Sequence, residues 1–105
     1  MEKTLKYQRS LIKKKIKISE DKFIVMLDYM NFEEPNRNIF CINSQDEILW
    51  QVEADPKRVT LPGGSDLDSF VSIKFDSNLV ARRFSGFEYQ VDLLTGKIKL
   101  VGWDK

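Results

Sequence analysis

Apolar and polar residues alternate with a period of two along much of this chain, and this alternation constrains the fold more than any other feature. Ile16 and Ile18 lie on one face of a lysine-rich segment, and Val71, Ile73 and Phe75 share a face later in the chain. Successive side chains of a β-strand point to opposite faces, so these segments predict half-buried strands.

Short segments with turn-forming residues separate the alternating stretches at intervals that suit tight turns. They are Ser19–Lys22, Ser44–Glu47, Asp76–Asn78, Ser85–Gly86 and Leu93–Gly96. Closely spaced strands with such connections form hairpins, because parallel strands need a much longer crossover. The pattern therefore predicts a mainly β fold. We expect an antiparallel meander of about seven or eight short strands, closed as a small sandwich or barrel.

The secondary structure of two parts of the chain is harder to predict. The apolar run Phe23–Tyr29 fits a buried strand, although its apolar residues also fall at helical spacing. Its β-branched and aromatic residues favour a strand paired with the lysine-rich segment before it. The longest irregular stretch is Ala54–Ser69, which contains two prolines and two adjacent glycines. Loops of that length in a small domain are often functional.

The chain has the size and composition of one domain, which we place over residues 1–105. Its 105 residues are 42% hydrophobic and 11% aromatic, enough for a single core. No apolar run approaches the length that spans a bilayer, and the first residues lack the apolar segment of a signal peptide. We therefore expect a cytoplasmic protein with no membrane partner.

The residues that most enzymes need are missing. The sequence contains no histidine and one cysteine, Cys41, and it has neither a phosphate-binding nor a dinucleotide-binding glycine motif. Cys41 stands among apolar residues and is better explained as part of the core than as a reactive thiol. The pair Asp66 and Asp68 is too short a series for a calcium loop, and turn hydrogen bonding explains it better. We predict no catalysis, no metal and no cofactor.

Charge is distributed unevenly along the chain. Residues 1–30 carry eight basic and four acidic side chains, residues 31–76 carry four and nine, and the remainder carries five and three. The small net charge of +1 argues against a general nucleic-acid-binding protein. A polarised chain is suited to steering toward a charged partner, although ordinary mixed surface charge would give a similar count.

Carboxylates in the expected turns and loops are the first candidate for a binding surface. If these loops converge, their charges can mimic phosphate and exploit the positive field of a basic partner such as a nuclease. Isolated, solvated loops are the alternative. Trp50 and Phe87 could supply apolar contacts. The predicted partner-binding residues are Glu33, Glu34, Asp46, Glu47, Trp50, Asp55, Asp66 and Asp68.

The size, the β-rich character and the charge layout together resemble the small immunity proteins of bacterial toxin systems, including contact-dependent growth inhibition. Those proteins plug the active site of a toxin with an acidic surface. The resemblance implies a protein partner, a cognate toxin domain, and neutralisation by steric and electrostatic block.

Two local segments, Phe40–Gln51 and Tyr89–Ile98, resemble strand–turn–strand units of quinoprotein-type β-propeller repeats. The first ends in a tryptophan-bearing strand, and the second contains an Asp-x-x-Thr-Gly-Lys turn. A propeller needs about four blades, which 105 residues cannot supply. The resemblance therefore implies hairpins and neither a propeller nor a quinone cofactor.

A basic cluster supports a different function. Lys13, Lys14, Lys15 and Lys17 could contact nucleic acid or another anionic ligand on a small β-barrel. Lysines on a strand at a sheet edge also block unwanted strand pairing, and we favour that interpretation. A third possibility is an accessory subunit whose exposed strand edge pairs with a partner. In the hairpin around Ser85–Gly86, Arg83 could pair with Glu88.

Overall fold

Within each of two sheets, strands that are neighbours in sequence pair side by side and antiparallel. The structure, a computed structural model, describes residues 12–28, 37–53 and 69–103. Two four-stranded antiparallel sheets result, in the orders β1-β2-β3-β4 (sheet A) and β5-β6-β7-β8 (sheet B). Sheet A consists of β1 (Ile12–Ser19), β2 (Lys22–Leu27), β3 (Ile39–Ile42) and β4 (Ile48–Gln51). Sheet B consists of β5 (Phe70–Phe75), β6 (Leu79–Arg83), β7 (Phe87–Val91) and β8 (Ile98–Trp103).

The predicted fold class is confirmed, and of the two closures foreseen the structure has a small sandwich and not a closed barrel. Eight strands form the two meanders, and the described residues contain no α-helix. The ambiguous apolar run becomes β2, which pairs with β1 so that Ile16 lies opposite Ile24 and Lys17 opposite Phe23. The described residues also contain no helix with the length and apolarity needed to cross a bilayer.

The main core lies between the two sheets. Sheet A contributes Ile24, Met26, Ile39 and Cys41, and sheet B contributes Phe70, Ile73, Leu79, Ala81, Tyr89, Val91 and Ile98. A second cluster, on the other face of sheet A, contains Val25, Leu27, Phe40 and Ile42. Strands β2 and β3 are thus buried on both faces. This explains why their sequences are continuous apolar runs, whereas strands with one solvated face alternate.

Cys41 is fully buried in this core. Its removal from water raises the pKa of the thiol to about 11, because burial disfavours the charged thiolate. At neutral pH the side chain is therefore a protonated, apolar group, which agrees with the interpretation of Cys41 as a core residue.

Candidate functional site

Asn38 fastens the two sheets together at one end of sheet A. Its side chain is fully buried, and Nδ2 donates to the carbonyl oxygens of Leu27 at 3.0 Å and Phe70 at 2.9 Å. Its Oδ1 accepts from the Phe70 N–H at 3.1 Å. These bonds join the end of β2, the approach to β3 and the start of β5, three segments far apart in sequence.

Hydrogen bonds also hold the end of β4 beside Asn38. Arg37 Nε donates to the Val52 carbonyl oxygen at 2.9 Å, and Gln51 Nε2 donates to the Arg37 carbonyl oxygen at 2.9 Å. The N–H of Val52 also donates to the carbonyl oxygen of Ile39 at 2.9 Å. The polar contacts of Asn38 and Arg37 thus bring together four points of the chain, Asp28, Arg37, Glu53 and Ser69, which we call the loop roots.

Two connections, residues 29–36 and residues 54–68, begin and end at the loop roots. Residues 29–36 carry Glu33 and Glu34 with no basic residue, and residues 54–68 carry three acids and two bases, a combined charge of −3. Five of the predicted partner-binding residues belong to these connections and lie outside the described residues. They are Glu33, Glu34, Asp55, Asp66 and Asp68.

The remaining two predicted acids lie in the β3–β4 turn, at the opposite end of β3 from the loop roots. Asp46 is only 8% exposed and has a left-handed backbone, with φ 64°. The carboxylate of Glu47 accepts a hydrogen bond from Asn43 Nδ2 at 2.7 Å, and Asn43 Oδ1 accepts from the Gln45 and Glu47 N–H groups. Both acids contribute to the turn, and the structure does not bring them to the loop roots.

Trp50, predicted as a partner contact, is used inside the molecule. Its Nε1–H donates to the Leu93 carbonyl oxygen at 2.9 Å, and its ring packs over Gly96, where φ is 79°. Glu53 adds two bonds: its N–H donates to the Gly96 carbonyl oxygen at 2.9 Å, and its Oε1 accepts from the Ile98 N–H at 3.0 Å. The two segments that resemble propeller units therefore contact each other across the sheets.

The four candidate lysines lie on β1, which is an edge strand of sheet A as the edge-guarding interpretation expects. The alternation of the strand divides them. Lys14 Nζ donates to the Ile73 carbonyl oxygen in sheet B at 2.8 Å, and Lys15 Nζ lies 4.7 Å from the Phe23 ring centroid. Lys17 pairs with Glu20 at 3.4 Å, and Lys13 lies at an irregularity in the pairing. They do not form one continuous basic patch.

The suggested pairing of Arg83 with Glu88 is replaced by a different arrangement. Arg82 is the residue opposite Glu88 in the β6–β7 register. Alternation along β6 turns Arg83 inward, where it is 2% exposed and its guanidinium lies 4.1 Å from the Phe70 ring centroid and 5.2 Å from that of Tyr89. Phe87 is half-buried and packs against the main core, whereas Phe84 in the same hairpin is 74% exposed.

Asn38, whose buried amide ties loop roots together, and Glu53, which bonds to the β7–β8 turn, were not among the residues predicted from the sequence. Asn38 follows a polar loop and precedes an apolar strand, a position that usually indicates a solvated turn residue. Nothing in the local sequence reveals a partner 32 residues away. Within ranges 12–28, 37–53 and 69–103, no three His, Cys, Asp or Glu side chains gather as metal ligands would.

A family model described as a domain of unknown function, DUF7957, matches residues 3–103. The chain belongs to the DUF7957 family. The DUF7957 match includes all eight strands and both acidic connections, so the loop roots and what they carry are parts of the family's domain. No curated protein and no solved structure matches the chain.

Proposed function

We propose that this DUF7957 protein is an immunity-type binding protein that neutralises a bacterial nuclease toxin. It acts in the cytoplasm, covering the basic active site of the toxin with an acidic surface and carrying out no catalysis of its own. The observation that supports this proposal is the hydrogen-bonded cluster of loop roots around Asn38. It fastens the ends of both acidic connections to one end of a rigid β scaffold.

A nuclease active site must attract phosphates, so it has a positive field that also attracts carboxylates. Two connections that together carry a charge of −3, rooted side by side, would present that charge on one end of the protein. Anchoring by buried hydrogen bonds lowers the entropy lost on binding, because less of the chain must be ordered by the partner.

The nucleic-acid alternative receives less support from the geometry. Lys14 and Lys17 are engaged with Ile73 and Glu20, and the four lysines of β1 are divided between faces of an edge strand. A contiguous basic surface with aromatic platforms is what single-stranded nucleic acid would require. The test must therefore distinguish oligonucleotide binding from binding to a toxin domain.

The test measures association with the product of the neighbouring gene, which we expect to contain a toxin domain. One variant combines Glu33→Lys with Glu34→Lys, and a second combines Asp66→Lys with Asp68→Lys. The matched control combines Glu20→Lys with Asp76→Lys, which reverses two exposed acids in the β1–β2 and β5–β6 turns. Each change alters the net charge by the same amount, so general electrostatic effects cancel in the comparison.

We expect a 1:1 complex whose association rate falls about tenfold or more in both loop variants at low salt, with a smaller change in the control. The differences should shrink at high salt, because screening weakens exposed charges. Equal slowing in loop variants and control would refute the acidic surface. The nucleic-acid alternative would be favoured by two results together. The complex would be absent, and an oligonucleotide gel shift would be seen that disappears when the lysines at positions 13, 14, 15 and 17 are changed to Glu.

A further inference from the structure

A groove at one end of sheet B is built entirely from described residues and is not part of the proposed toxin-binding surface. It has a volume of about 390 Å³ and lies between the β5–β6 turn and the β7–β8 turn. Leu79, Val91 and Ile98 also line it, but their side chains belong to the main core and are at most 9% exposed. Lys97 and Lys99 stand on either side of Ile98 along the rim.

Several hydrogen-bond acceptors in this groove are already occupied. Asn78 Oδ1 accepts from Gln90 Nε2 at 3.2 Å, and Asp92 Oδ1 accepts from the Leu94 N–H at 2.8 Å. The Leu93 carbonyl oxygen accepts from Trp50 Nε1 at 2.9 Å. Since an amide that accepts through its oxygen keeps its NH₂ group, Asn78 is left as a donor.

The hydrogen-bond donors of the groove are not occupied to the same extent. Within the described part of the chain, the ammonium groups of Lys97 and Lys99 take part in no ion pair. The Ser77 hydroxyl and the Asn78 amide add neutral donors on the facing wall. One carboxylate, Asp92, offsets one of the two lysine charges, so the groove keeps a net charge of +1 and an excess of donors.

We propose that this groove binds a small oxyanion, a phosphate or a carboxylate group, between the two lysines and the Asn78 amide. Charge-assisted hydrogen bonds from ammonium to oxyanion are the strongest polar contacts available here. This inference does not depend on the toxin, because the residues involved are separate from the acidic connections.

The experiment records amide resonances of ¹⁵N-labelled full-length protein by NMR during titration at constant ionic strength. One arm adds inorganic phosphate and the other adds N-acetylglycine, so that the two sources of oxyanion are distinguished. The test variant combines Lys97→Gln with Lys99→Gln. The control combines Lys15→Gln with Lys17→Gln on β1, which removes the same charge from sheet A.

We expect saturable shifts of the Asn78 and Gln90 side-chain NH₂ signals in at least one arm. The test variant should bind about tenfold or more weakly than the wild type, because it loses two charge-assisted bonds, whereas the control should bind as the wild type does. Saturation with phosphate alone identifies a phosphate site, and saturation with N-acetylglycine alone identifies a carboxylate site. Absence of saturation in both arms, or equal weakening in test and control variants, would overturn the proposal.

Discussion

Replacing Gly96 with alanine would disrupt the contact that joins the end of β4 to the β7–β8 turn. A Cβ atom at position 96 would lie 2.5 Å from Trp50 Cε3 and 3.0 Å from the Gln51 carbonyl oxygen, both too close for an unchanged structure. The backbone at Gly96 also has φ 79°, a left-handed conformation that is unfavourable for residues with a side chain. Either the indole or the turn must move.

The two effects can be estimated separately. A left-handed conformation costs roughly 1 kcal/mol for alanine, and overpacking a filled contact costs roughly 1–3 kcal/mol. Together they predict a loss of about 2–4 kcal/mol in the free energy of unfolding. For a chain of this length, that loss corresponds to a melting temperature lower by roughly 10–20 °C.

Thermal and urea unfolding followed by circular dichroism would measure this loss, and the NMR signal of the Trp50 Nε1–H would report whether its bond to Leu93 survives. Gly102→Ala is the matched control, because its Cβ would meet only Glu88 Oε1 at 3.4 Å. We expect a much smaller change there. If Gly96→Ala is as stable as Gly102→Ala and the indole signal is unchanged, the account of this contact is wrong.

Three further predictions concern Asn38, Cys41 and Asp21. Asn38→Ala should lower the free energy of unfolding by about 2–4 kcal/mol in urea titrations, because buried backbone groups of Leu27 and Phe70 lose their partners. Asn78→Ala, on the surface, is the control and should change the free energy of unfolding by less than about 0.5 kcal/mol. Cys41 should resist alkylation at pH 8 until the protein unfolds. Since its folded pKa of about 11 exceeds the ordinary value of 9.0, its contribution to stability should be complete below pH 9 and decline as pH rises toward 11. The Ser44 hydroxyl, and after it the Ser44 N–H, hold the pKa of Asp21 below its ordinary value. The contribution of Asp21 to stability should therefore be present above the ordinary pKa and be lost as pH falls through the folded pKa. Ser44→Ala should raise the Asp21 pKa in an NMR pH titration, and an unchanged value would refute the assignment.

The strand pattern could be predicted because it depends on local chemistry. Alternation identified the half-buried strands, although an irregularity between Phe70 and Ser72 buries Phe70 with Ile73 in β5 and leaves Phe75 exposed. The turn between β3 and β4 follows from an asparagine side chain that bonds to N–H groups two and four residues later. The apolar run at β2 was ambiguous for a physical reason: a strand buried on both faces loses the alternation that distinguishes it from a helix.

The tertiary contacts could not be predicted in the same way. Trp50 was expected to face a partner, but its indole bonds to a carbonyl 43 residues away. Asn38 is polar yet fully buried, because backbone groups from two sheets satisfy its amide. Which turn meets which strand end depends on how the two sheets pack. A local pattern of residue types carries no information about that.

The central claim, that partner binding occurs through the two connections rooted around Asn38, is tested most directly by hydrogen exchange of the complex with the toxin domain. Mass spectrometry of the free and bound protein would report protection for peptides that cover residues 29–36 and 54–68. We predict that protection concentrates in these two peptides and leaves the β5–β6 turn unchanged. Protection confined to β1, or no protection in either connection, would contradict the claim.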